Sequence, residues 1–245
     1  MGKVKIKEKD LKRLISKNLK DSEIAEILNF KTISVYFARK RYNIIREPFS
    51  TAKNIPLSKK QIEFFVGCLL GDGSLRIDNK CINPRFTCEH SIKQEEYIKY
   101  KFNLIKNLNS FIRNAKRFDK RTNREYKSIV IRTNTNQALL ELYNEFYSDK
   151  VKKISKKILN YYTPFAMAIH YMDDGYLTPH SYRIATNCFD RQSLSNLQNK
   201  LLEYNIKSSI HARNVLYIKA ESKIIFTKLI EEFFPDSMKY KLHRI

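Results

Sequence analysis

Two short apolar segments of this sequence each end in an acidic residue followed by glycine. Residues 64–73 read FFVGCLLGDG, with the acid at Asp72. Residues 168–175 read AIHYMDDG, with the acid at Asp174. A carboxylate at the C-terminal end of a helix is unfavourable, because that end carries partial negative charge. A bound cation would remove this penalty, so both acids are candidate metal ligands.

Asp72 and Asp174 occupy matching places in an internal duplication. After each acid, the sequence predicts a hairpin, a capped helix, a second hairpin and another capped helix. Matching positions are 102 residues apart at the acids and 99 apart at the predicted helix caps Ser91 and Asp190. The predicted fold class is therefore α+β, with two αββαββα units related by a pseudo-twofold axis.

The duplication also predicts close contact between the two apolar helices. Gly67 and Gly71 are four residues apart and share one helical face, where they permit close approach of the backbones. Such packing would bring Asp72 and Asp174 together, and adjacent carboxylates repel each other unless they are protonated or bridged by a cation. Mg²⁺ suits oxygen ligands beside a phosphate substrate. A metal held this way can activate water and stabilise the leaving oxygen of a phosphodiester.

The composition favours a nucleic-acid partner. The 245 residues include 47 Lys and Arg against 25 Asp and Glu, a net charge of +22. Such an excess usually serves to bind a polyanion. An anionic membrane surface is the competing partner, but no polybasic tail or basic amphipathic anchor stands out. The cysteines form no C-x-x-C pair, so we expect reduced thiols inside a bacterial or phage-infected cell or an organelle matrix.

The sequence pattern of residues 1–46 predicts a small all-α domain. Apolar residues at i, i+3 and i+4 indicate two helices, with Ser22 as the predicted N-cap of the second, and a third helix follows over about residues 33–42. The arrangement resembles a helix-turn-helix, whose second motif helix enters the major groove. The alternative is a three-helix bundle with a solvated basic face. The candidate DNA-binding residues of this domain are Tyr36, Arg39, Lys40 and Arg41.

Residues 65–73 and 167–175 resemble the two LAGLIDADG motifs of a single-chain homing endonuclease. The second departs from the first at Ile169 and Asp173, where the first has glycine, but the ending Met-Asp-Asp-Gly is common in one branch of that family. The resemblance implies a metal-dependent, site-specific endonuclease that cuts both DNA strands across the minor groove and leaves short 3′ overhangs. The alternative is a non-cleaving nucleic-acid binder on the same scaffold, either an intron-splicing maturase or a transcription regulator.

The resemblance also implies how the chain is divided. A linker at residues 47–57 precedes a first LAGLIDADG unit at 58–154 and a second at 155–245. The four strands of each unit would form half of a saddle that straddles the major groove of double-stranded DNA. Because one chain carries both halves, we expect a monomer that has no membrane partner.

The metal ligands of the family transfer to this sequence by position. The last acid of each motif binds the metal, which gives Asp72 and Asp174. The peptide carbonyls just before them, at Gly71 and Asp173, often assist. The resemblance therefore implies Mg²⁺, or another divalent cation such as Mn²⁺, as the cofactor.

A basic residue near the end of each unit is the second catalytic element of the family. It assists the water network and stabilises charge in the transition state. In the second unit the sequence MKYKL points to Lys241. In the first unit, alignment of Ile154 with Leu242 selects Lys153, while Lys152 remains possible.

Strand residues opposite the apolar positions are expected to face the DNA, some at phosphates and others at base edges. Residues of the Lys- and Arg-rich hairpin in the first unit are also expected to contact the DNA. The candidates are Arg85, Thr87, Glu89, Lys116, Arg117, Arg132, Arg183, Asn187, Tyr217 and Lys219. The histidines have no mutual metal-ligand spacing, so none of them, His90 included, receives a catalytic role.

Overall fold

The structure of the protein is a computed structural model that describes residues 6–16, 19–44, 54–78 and 81–243. They belong to two compact units, Met1–Ser50 and Thr51–Ile245, each with its own hydrophobic core. The division falls inside the predicted linker, of which residues 47–53 lie outside the described part. No described helix is both long and apolar enough to cross a lipid bilayer.

Three short helices form the N-terminal unit. They are α1 (Glu8–Ser16), α2 (Asp21–Ile27) and α3 (Thr32–Arg41). Leu11, Ile24 and Val35, one from each helix, are fully buried where the helices pack together. The predicted apolar spacing therefore contributes to this core through Leu11, Leu14 and Ile24, whereas Ile27 of the second helix is 57% exposed.

The connections of this unit include one left-handed turn and one cap that differs from the prediction. Asn29, between α2 and α3, has φ 54°, a conformation that its short polar side chain tolerates. Helix α2 begins at Asp21, before the predicted N-cap Ser22. The carboxylate of Glu23 accepts the backbone N–H of Lys20 at 2.5 Å, so the cap lies at Lys20 and the predicted cap was wrong.

The C-terminal unit contains two copies of one series of elements. The first copy comprises α4 (Lys59–Leu70), β1 (Gly73–Arg76), β2 (Arg85–Ser91), α5 (Glu95–Ile105), β3 (Ser110–Asp119), β4 (Arg124–Thr133), α6 (Leu140–Phe146) and a short hairpin of β5 (Tyr147–Ser148) and β6 (Val151–Lys152). The second comprises α7 (Lys156–Leu159), α8 (Pro164–Asp174), β7 (Gly175–Leu177), β8 (Tyr182–Ile184), α9 (Arg191–Leu202), β9 (Ser208–Ile210), β10 (Leu216–Ile218) and α10 (Lys223–Ile230).

The two copies form equivalent sheets. The strand order is β1-β2-β4-β3 in one sheet and β7-β8-β10-β9 in the other, and neighbouring strands are antiparallel. The prediction of two αββαββα units is therefore confirmed. Strands β3 and β4 have 10 residues each, whereas β9 and β10 have 3 each. This difference shortens the second copy in the part of the chain that follows the caps Ser91 and Asp190.

Side chains cap the N-terminal ends of the two central helices, α4 and α8. The Ser58 hydroxyl accepts the N–H of Gln61 at 3.2 Å, and the Gln61 side-chain oxygen accepts the N–H of Ser58 at 3.1 Å. The Thr163 hydroxyl accepts the N–H of Ala166 at 3.4 Å, and Pro164 is the first residue of α8. Both arrangements fix where the helices begin.

The contact between α4 and α8 depends on the two glycines of the first motif. A Cβ atom on Gly67 would lie 2.6 Å from the carbonyl oxygen of Ala166 and 2.7 Å from Cβ of Ile169. A Cβ atom on Gly71 would lie 2.5 Å from Cβ of Asp173. These distances are too short for real atoms, so the helices touch where α4 has no side chain. The contact brings the C-terminal ends of both helices together.

Candidate active site

The acids at the ends of the two central helices lie in a crowded, partly buried environment that raises the pKa of both. Asp72 is the second residue after α4, and Asp174 is the last residue of α8. Burial, and then the neighbouring carboxylate of Asp173, raise the pKa of Asp72. Burial, and then Asp72, raise the pKa of Asp174 to about 7. Negative charge is therefore crowded at this point of the helix interface.

Such crowding suits a divalent cation. Carboxylate oxygens are hard donors of the kind that Mg²⁺ and Mn²⁺ prefer. A bound cation would also relieve the repulsion between Asp72 and Asp174. The side chain of Asp72 is 39% exposed, so the site is open to solvent and to a phosphate. The residues present therefore fit the metal that the sequence predicts.

A lysine contacts the end of each central helix. The ammonium of Lys241 donates to the carbonyl oxygens of Met172 at 2.6 Å and Asp173 at 3.2 Å. The ammonium of Lys152 donates to carbonyl oxygens at the end of α4 and the start of β1. Burial lowers the pKa of both ammonium groups, and nearby acids oppose that effect. The two lysines hold equivalent places in the two halves.

These lysines occupy the carbonyls that the resemblance assigns to the metal. Lys152 lies 2.8 Å from the carbonyl oxygen of Leu69, 3.4 Å from that of Gly71 and 2.7 Å from that of Gly73. The carbonyl of Asp173, the other predicted metal ligand, accepts from Lys241. The carboxylates are therefore better placed than the carbonyls to bind a cation.

Lys152, rather than Lys153, occupies the place that matches Lys241. Lys153 is exposed, and its backbone N–H donates to the carbonyl oxygen of Phe146 at 2.8 Å. Alignment of Ile154 with Leu242 selects Lys153 because it assumes equal spacing to the next apolar residue. The first half reaches the site on the short β5–β6 hairpin, whereas the second does so on a 3₁₀ helix, Asp236–Lys241. The spacing therefore differs between the two copies.

Asp173 forms a buried ion pair that sequence reasoning missed. Its side chain and that of Lys101 are both fully buried, with the ammonium 2.6 Å from Oδ1. The Tyr97 hydroxyl donates to the same oxygen at 2.7 Å. Burial is the largest single influence and would raise the pKa of Asp173, but Lys101, His90 and the Tyr97 hydrogen bond together outweigh it and the pKa is lowered. The other oxygen, Oδ2, accepts the backbone N–H of Asp72 at 3.3 Å, so the ion pair contacts the candidate site.

His90 lies beside the same pair. The ring is only 5% exposed, because the alternation of β2 turns it to the inner face of the sheet. Burial, and then Lys101, lower its pKa to about 4, so the ring is neutral near pH 7. Its Nδ1 lies 3.5 Å from Oδ2 of Asp72. The strand period was the signal that could have placed His90 here; ligand spacing along the sequence could not.

One face of the first sheet carries the candidates on β2 and β4. Arg85, Thr87 and Glu89 alternate along β2, and Arg132 of β4 is the direct cross-strand partner of Thr87. The carboxylate of Asp78 pairs with Arg85 and lies 3.8 Å from Arg132. Asp78, which the sequence patterns do not single out, joins the two guanidinium groups on this face.

The long β3–β4 hairpin places its two candidate DNA-binding residues on opposite faces of the sheet. Arg117 shares the face of Arg132, because strand positions alternate and the register is continuous. Lys116 lies on the opposite face, across from Lys127, and its ammonium is 3.4 Å from the carboxylate of Glu125. Neighbouring strand residues cannot share a face, so the two candidates do not belong to one surface.

The second sheet brings two of its candidates together. Arg183 and Tyr217 are direct cross-strand partners, and the guanidinium carbon lies 5.6 Å from the ring centroid. Lys219 is exposed just after β10. Asn187 lies in a loop rather than in the predicted strand, and its amide nitrogen donates to the carbonyl oxygen of Arg213. Strand β8 ends at Ile184, so Asn187 does not extend the row of Arg183.

The N-terminal unit exposes three of its four candidates. Tyr36, Lys40 and Arg41 are exposed on α3, with the Lys40 ammonium 5.2 Å from the centroid of the Tyr36 ring. The guanidinium of Arg39 instead lies 2.8 Å from the carboxylate of Asp21, and both side chains are 18% exposed. Arg39 therefore links α3 to α2, while the other three side chains form part of the outer surface.

Comparisons with known proteins agree with this architecture. The profile of the LAGLIDADG DNA endonuclease family matches residues 62–226. The cytochrome b mRNA maturase bI2 of Debaryomyces hansenii is 30% identical over 198 residues, which cover 77% of this chain and 76% of that protein. The DNA endonuclease I-ChuI of Chlamydomonas applanata is 28% identical over 208 residues, which cover 76% of this chain and 95% of that protein.

The corresponding maturase of Saccharomyces cerevisiae is 30% identical over 203 residues, but this chain spans only 48% of its length. Among solved structures, the homing endonuclease I-WcaI bound to its DNA recognition sequence superposes with a TM-score of 0.73 at 22% identity, covering 84% of this chain and 98% of that one. The superposition establishes the fold, and the profile match covers more than half of the chain. The protein belongs to the LAGLIDADG DNA endonuclease family.

Proposed function

We propose that this protein is a site-specific endonuclease that hydrolyses both strands of a double-stranded DNA target and leaves short 3′ overhangs. The observation that carries the proposal is the repeated pairing of one acid and one lysine at a helix end. Lys152 donates to the carbonyl oxygens of the residues on either side of Asp72. Lys241 donates to the carbonyl oxygen of the residue just before Asp174. A protein that only binds nucleic acid needs none of these four groups.

The four side chains would divide the work of phosphodiester hydrolysis. A divalent cation at Asp72 and Asp174, Mg²⁺ or Mn²⁺, would supply positive charge at the scissile phosphate and lower the pKa of a bound water. The carboxylates must be ionised to hold the cation. Burial raises the pKa of both acids, and the ammonium groups of Lys152 and Lys241 oppose that rise. The same ammonium groups would stabilise negative charge that develops on the phosphate.

The two sheets and the N-terminal unit would supply the contacts that select a DNA site. The net charge of +22 favours association with a polyanion. Arg85, Arg132 and Arg183 present guanidinium groups, which bind phosphates and guanine edges. Lys40 and Arg41 on α3 would add contacts in the manner of a helix-turn-helix. One chain provides both halves of the site, which favours a monomer.

Maturase activity is the second candidate, because two of the relatives are named cytochrome b mRNA maturases. A maturase would use the basic surface to bind structured intron RNA, and the acid–lysine pairs would have no catalytic role. The two candidates therefore differ in what they require of Asp72 and Asp174, and cleavage separates them.

The test is incubation of the protein with supercoiled plasmid that carries the uninterrupted DNA of its insertion locus. The proposal expects linear DNA with Mg²⁺ or Mn²⁺, intact plasmid with EDTA, and 3′ overhangs at the sequenced ends. Tight binding to this plasmid without cleavage under either cation would contradict the endonuclease. In that case, faster splicing of the intron transcript in the presence of the protein would identify a maturase.

A further inference from the structure

Lys101 and Asp173 form a charged pair inside the core, behind the candidate active site. Both side chains have 0% solvent exposure, and the ammonium lies 2.6 Å from Oδ1. Removing two charges from water is costly, and well-packed apolar residues of similar volume often serve stability as well or better. The pair therefore calls for an explanation in terms of function.

The pair contacts Asp72 through its backbone. Oδ1 of Asp173 binds the Lys101 ammonium, while Oδ2 accepts the backbone N–H of Asp72 at 3.3 Å. One buried carboxylate thus joins the ammonium to the peptide from which the side chain of Asp72 extends. Any shift of Asp173 would shift that peptide.

His90 provides a second connection between Lys101 and Asp72. Its Nε2 lies 3.0 Å from the Lys101 ammonium, which has only hydrogens to donate. Nε2 must therefore be the acceptor, and the neutral ring carries its hydrogen on Nδ1. Nδ1 lies 3.2 Å from the side-chain oxygen of Gln94 and 3.5 Å from Oδ2 of Asp72. Lys101 and Gln94 therefore both favour the ring form that presents a hydrogen toward Asp72.

The groups around the ammonium have the composition of a metal site. The Cys88 sulfur, the His90 ring and the Asp173 carboxylate offer ligand atoms within 4.8 Å of one another. The Lys101 ammonium lies 3.4 Å from Sγ, 3.0 Å from Nε2 and 2.6 Å from Oδ1. A cation of the protein itself thus occupies this place. We therefore expect divalent ions to bind at Asp72 and Asp174 and not at this cluster.

The second half has apolar residues at the positions that match Lys101 and Cys88. The buried residues of α5 and α9 follow one spacing, in which Lys101 corresponds to Leu197. In the sheets, Cys88 corresponds to Ile184, since each lies opposite the glycine that ends its own motif. Within residues 155–243, Asp174 therefore has no equivalent ammonium network from its own half.

We propose that Lys101 is a positioning residue that acts through Asp173 and His90 to hold Asp72 in place. The contacts of this network reach Asp72, whereas the described residues show no hydrogen bond from it to the side chain of Asp174, so we expect the two DNA strands to depend on it unequally. This inference rests on the proposed endonuclease activity, in which two acids serve the cleavage of two strands.

The first experiment compares cleavage of the two strands in a single turnover. The variant is the double substitution Lys101→Leu with Asp173→Ala, which leaves no buried charge unpaired and places in α5 the residue that α9 has. The control is Lys99→Leu on the same helix, where the lysine side chain is 61% exposed. The substrate is a duplex of the cleaved plasmid site with a different fluorophore on each 5′ end.

We expect one strand to be cut about 10- to 100-fold more slowly by the double variant, the range typical of groups that orient a metal ligand. The other strand should change by no more than about threefold, and the Lys99 variant should behave as wild type, because a remote exposed lysine has no contact with the site. Equal slowing of both strands, or no change in either, would overturn the proposal.

A second experiment needs neither a metal nor cleavage. The ¹⁵N chemical shifts of the His90 ring in the metal-free wild-type protein report which nitrogen carries the hydrogen. The proposal expects the Nδ1–H form in wild type and a smaller fraction of it in the double variant, where Gln94 alone still favours it. An Nε2–H or doubly protonated ring in wild type at pH 7 would contradict the role of Lys101. A wild type with the Nδ1–H ring that binds its DNA but cuts neither strand would remove the endonuclease proposal, and with it the positioning role in cleavage.

Discussion

The two halves of the C-terminal unit share a topology but differ in the interior behind their acids. Each half places one acid and one lysine at the end of a central helix. Behind Asp72 lies the buried charge of Lys101, whereas the matching Leu197 belongs to an apolar core. Equal chemistry at the helix ends can therefore rest on unequal support. A single chain allows this difference, because its two copies vary independently, unlike the identical subunits of a homodimer.

Removing either acid should have the largest effect on the cleavage rate. The two variants should be affected alike, because each half places one acid at the end of its central helix. Asp72→Asn and Asp174→Asn should each slow double-strand cleavage by roughly 100-fold or more, since a metal site supplies several kcal/mol and about 1.4 kcal/mol is tenfold. DNA affinity should remain measurable, because the amide preserves the shape of the side chain. Plasmid cleavage and binding isotherms measure both. Full activity in either variant would remove the assigned site.

The two neighbouring lysines of the first half should differ in their effect on the cleavage rate. Lys152→Met should slow cleavage by roughly 10- to 100-fold, because it removes an ammonium from the end of α4. Lys153→Met, at the neighbouring exposed position, should change the rate by less than about threefold. Single-turnover cleavage of one substrate by both variants makes the comparison. A larger loss in the Lys153 variant would favour Lys153 as the catalytic lysine of the first half.

The crowding of the acids should make metal-free stability depend on pH. The pKa of Asp174 is about 7 in the folded protein, against 3.8 for an ordinary carboxyl. Between these two pH values the folded state binds more protons than the unfolded state. The stabilisation of the fold that the bound proton provides is therefore complete below the lower value and is lost as pH rises through the higher one. Asp174→Asn should exceed wild type in stability at pH 8 by on the order of 2 kcal/mol, and by little near pH 4.

Urea unfolding of both proteins without metal measures this difference in the free energy of unfolding. Added Mg²⁺ should stabilise wild type at pH 8 and leave Asp174→Asn nearly unchanged, since a ligand stabilises only the state that binds it. An advantage of Asp174→Asn that grows toward low pH would have the wrong sign for crowded carboxylates.

The two central helices also contribute differently to their contact. The glycines belong to α4, whereas α8 presents the side chains of Ile169 and Asp173 to them. Gly67→Ala should lower the free energy of unfolding by about 1 to 3 kcal/mol, the usual cost of overpacking. The added methyl would meet the carbonyl of Ala166 and the side chain of Ile169. Ser195→Ala, at an exposed position of α9, should change it by less than about 0.5 kcal/mol. Two variants of equal stability would argue against the close contact.

The smallest effect should come from the N-terminal unit. Lys40→Ala together with Arg41→Ala should weaken DNA binding and reduce the slope of log affinity against log salt by about one for each phosphate that the protein no longer neutralises. Cleavage of a bound target should proceed at the wild-type rate. Binding titrations over a range of salt concentrations measure the slope. An unchanged slope would mean that α3 does not touch DNA.

The sequence predicted the framework of the molecule well because that framework follows from local patterns. Apolar spacing and ordinary caps located the central helices, and the duplication predicted equivalent sheets. The acids Asp72 and Asp174 stood out because an acid followed by glycine ended both apolar segments. The structure places both acids at the ends of the paired helices.

The supporting residues could not be predicted because they depend on contacts between distant elements. Lys101 has the appearance of a surface lysine until α5 is packed against α8. Asp78 acquires its role only when β2 and β4 bring two arginines together. Spacing along the chain favours Lys153, because it does not reveal that β6 turns Lys152 inward.

Diffraction from crystals of the protein with its DNA and Mn²⁺ would test the central claim most directly, because anomalous scattering locates manganese. We predict manganese within about 2.5 Å of carboxylate oxygens of Asp72 and of Asp174. A crystal in which either acid has no manganese, or in which manganese is held instead by Cys88 and His90 in place of the Lys101 ammonium, would contradict metal binding at the helix ends.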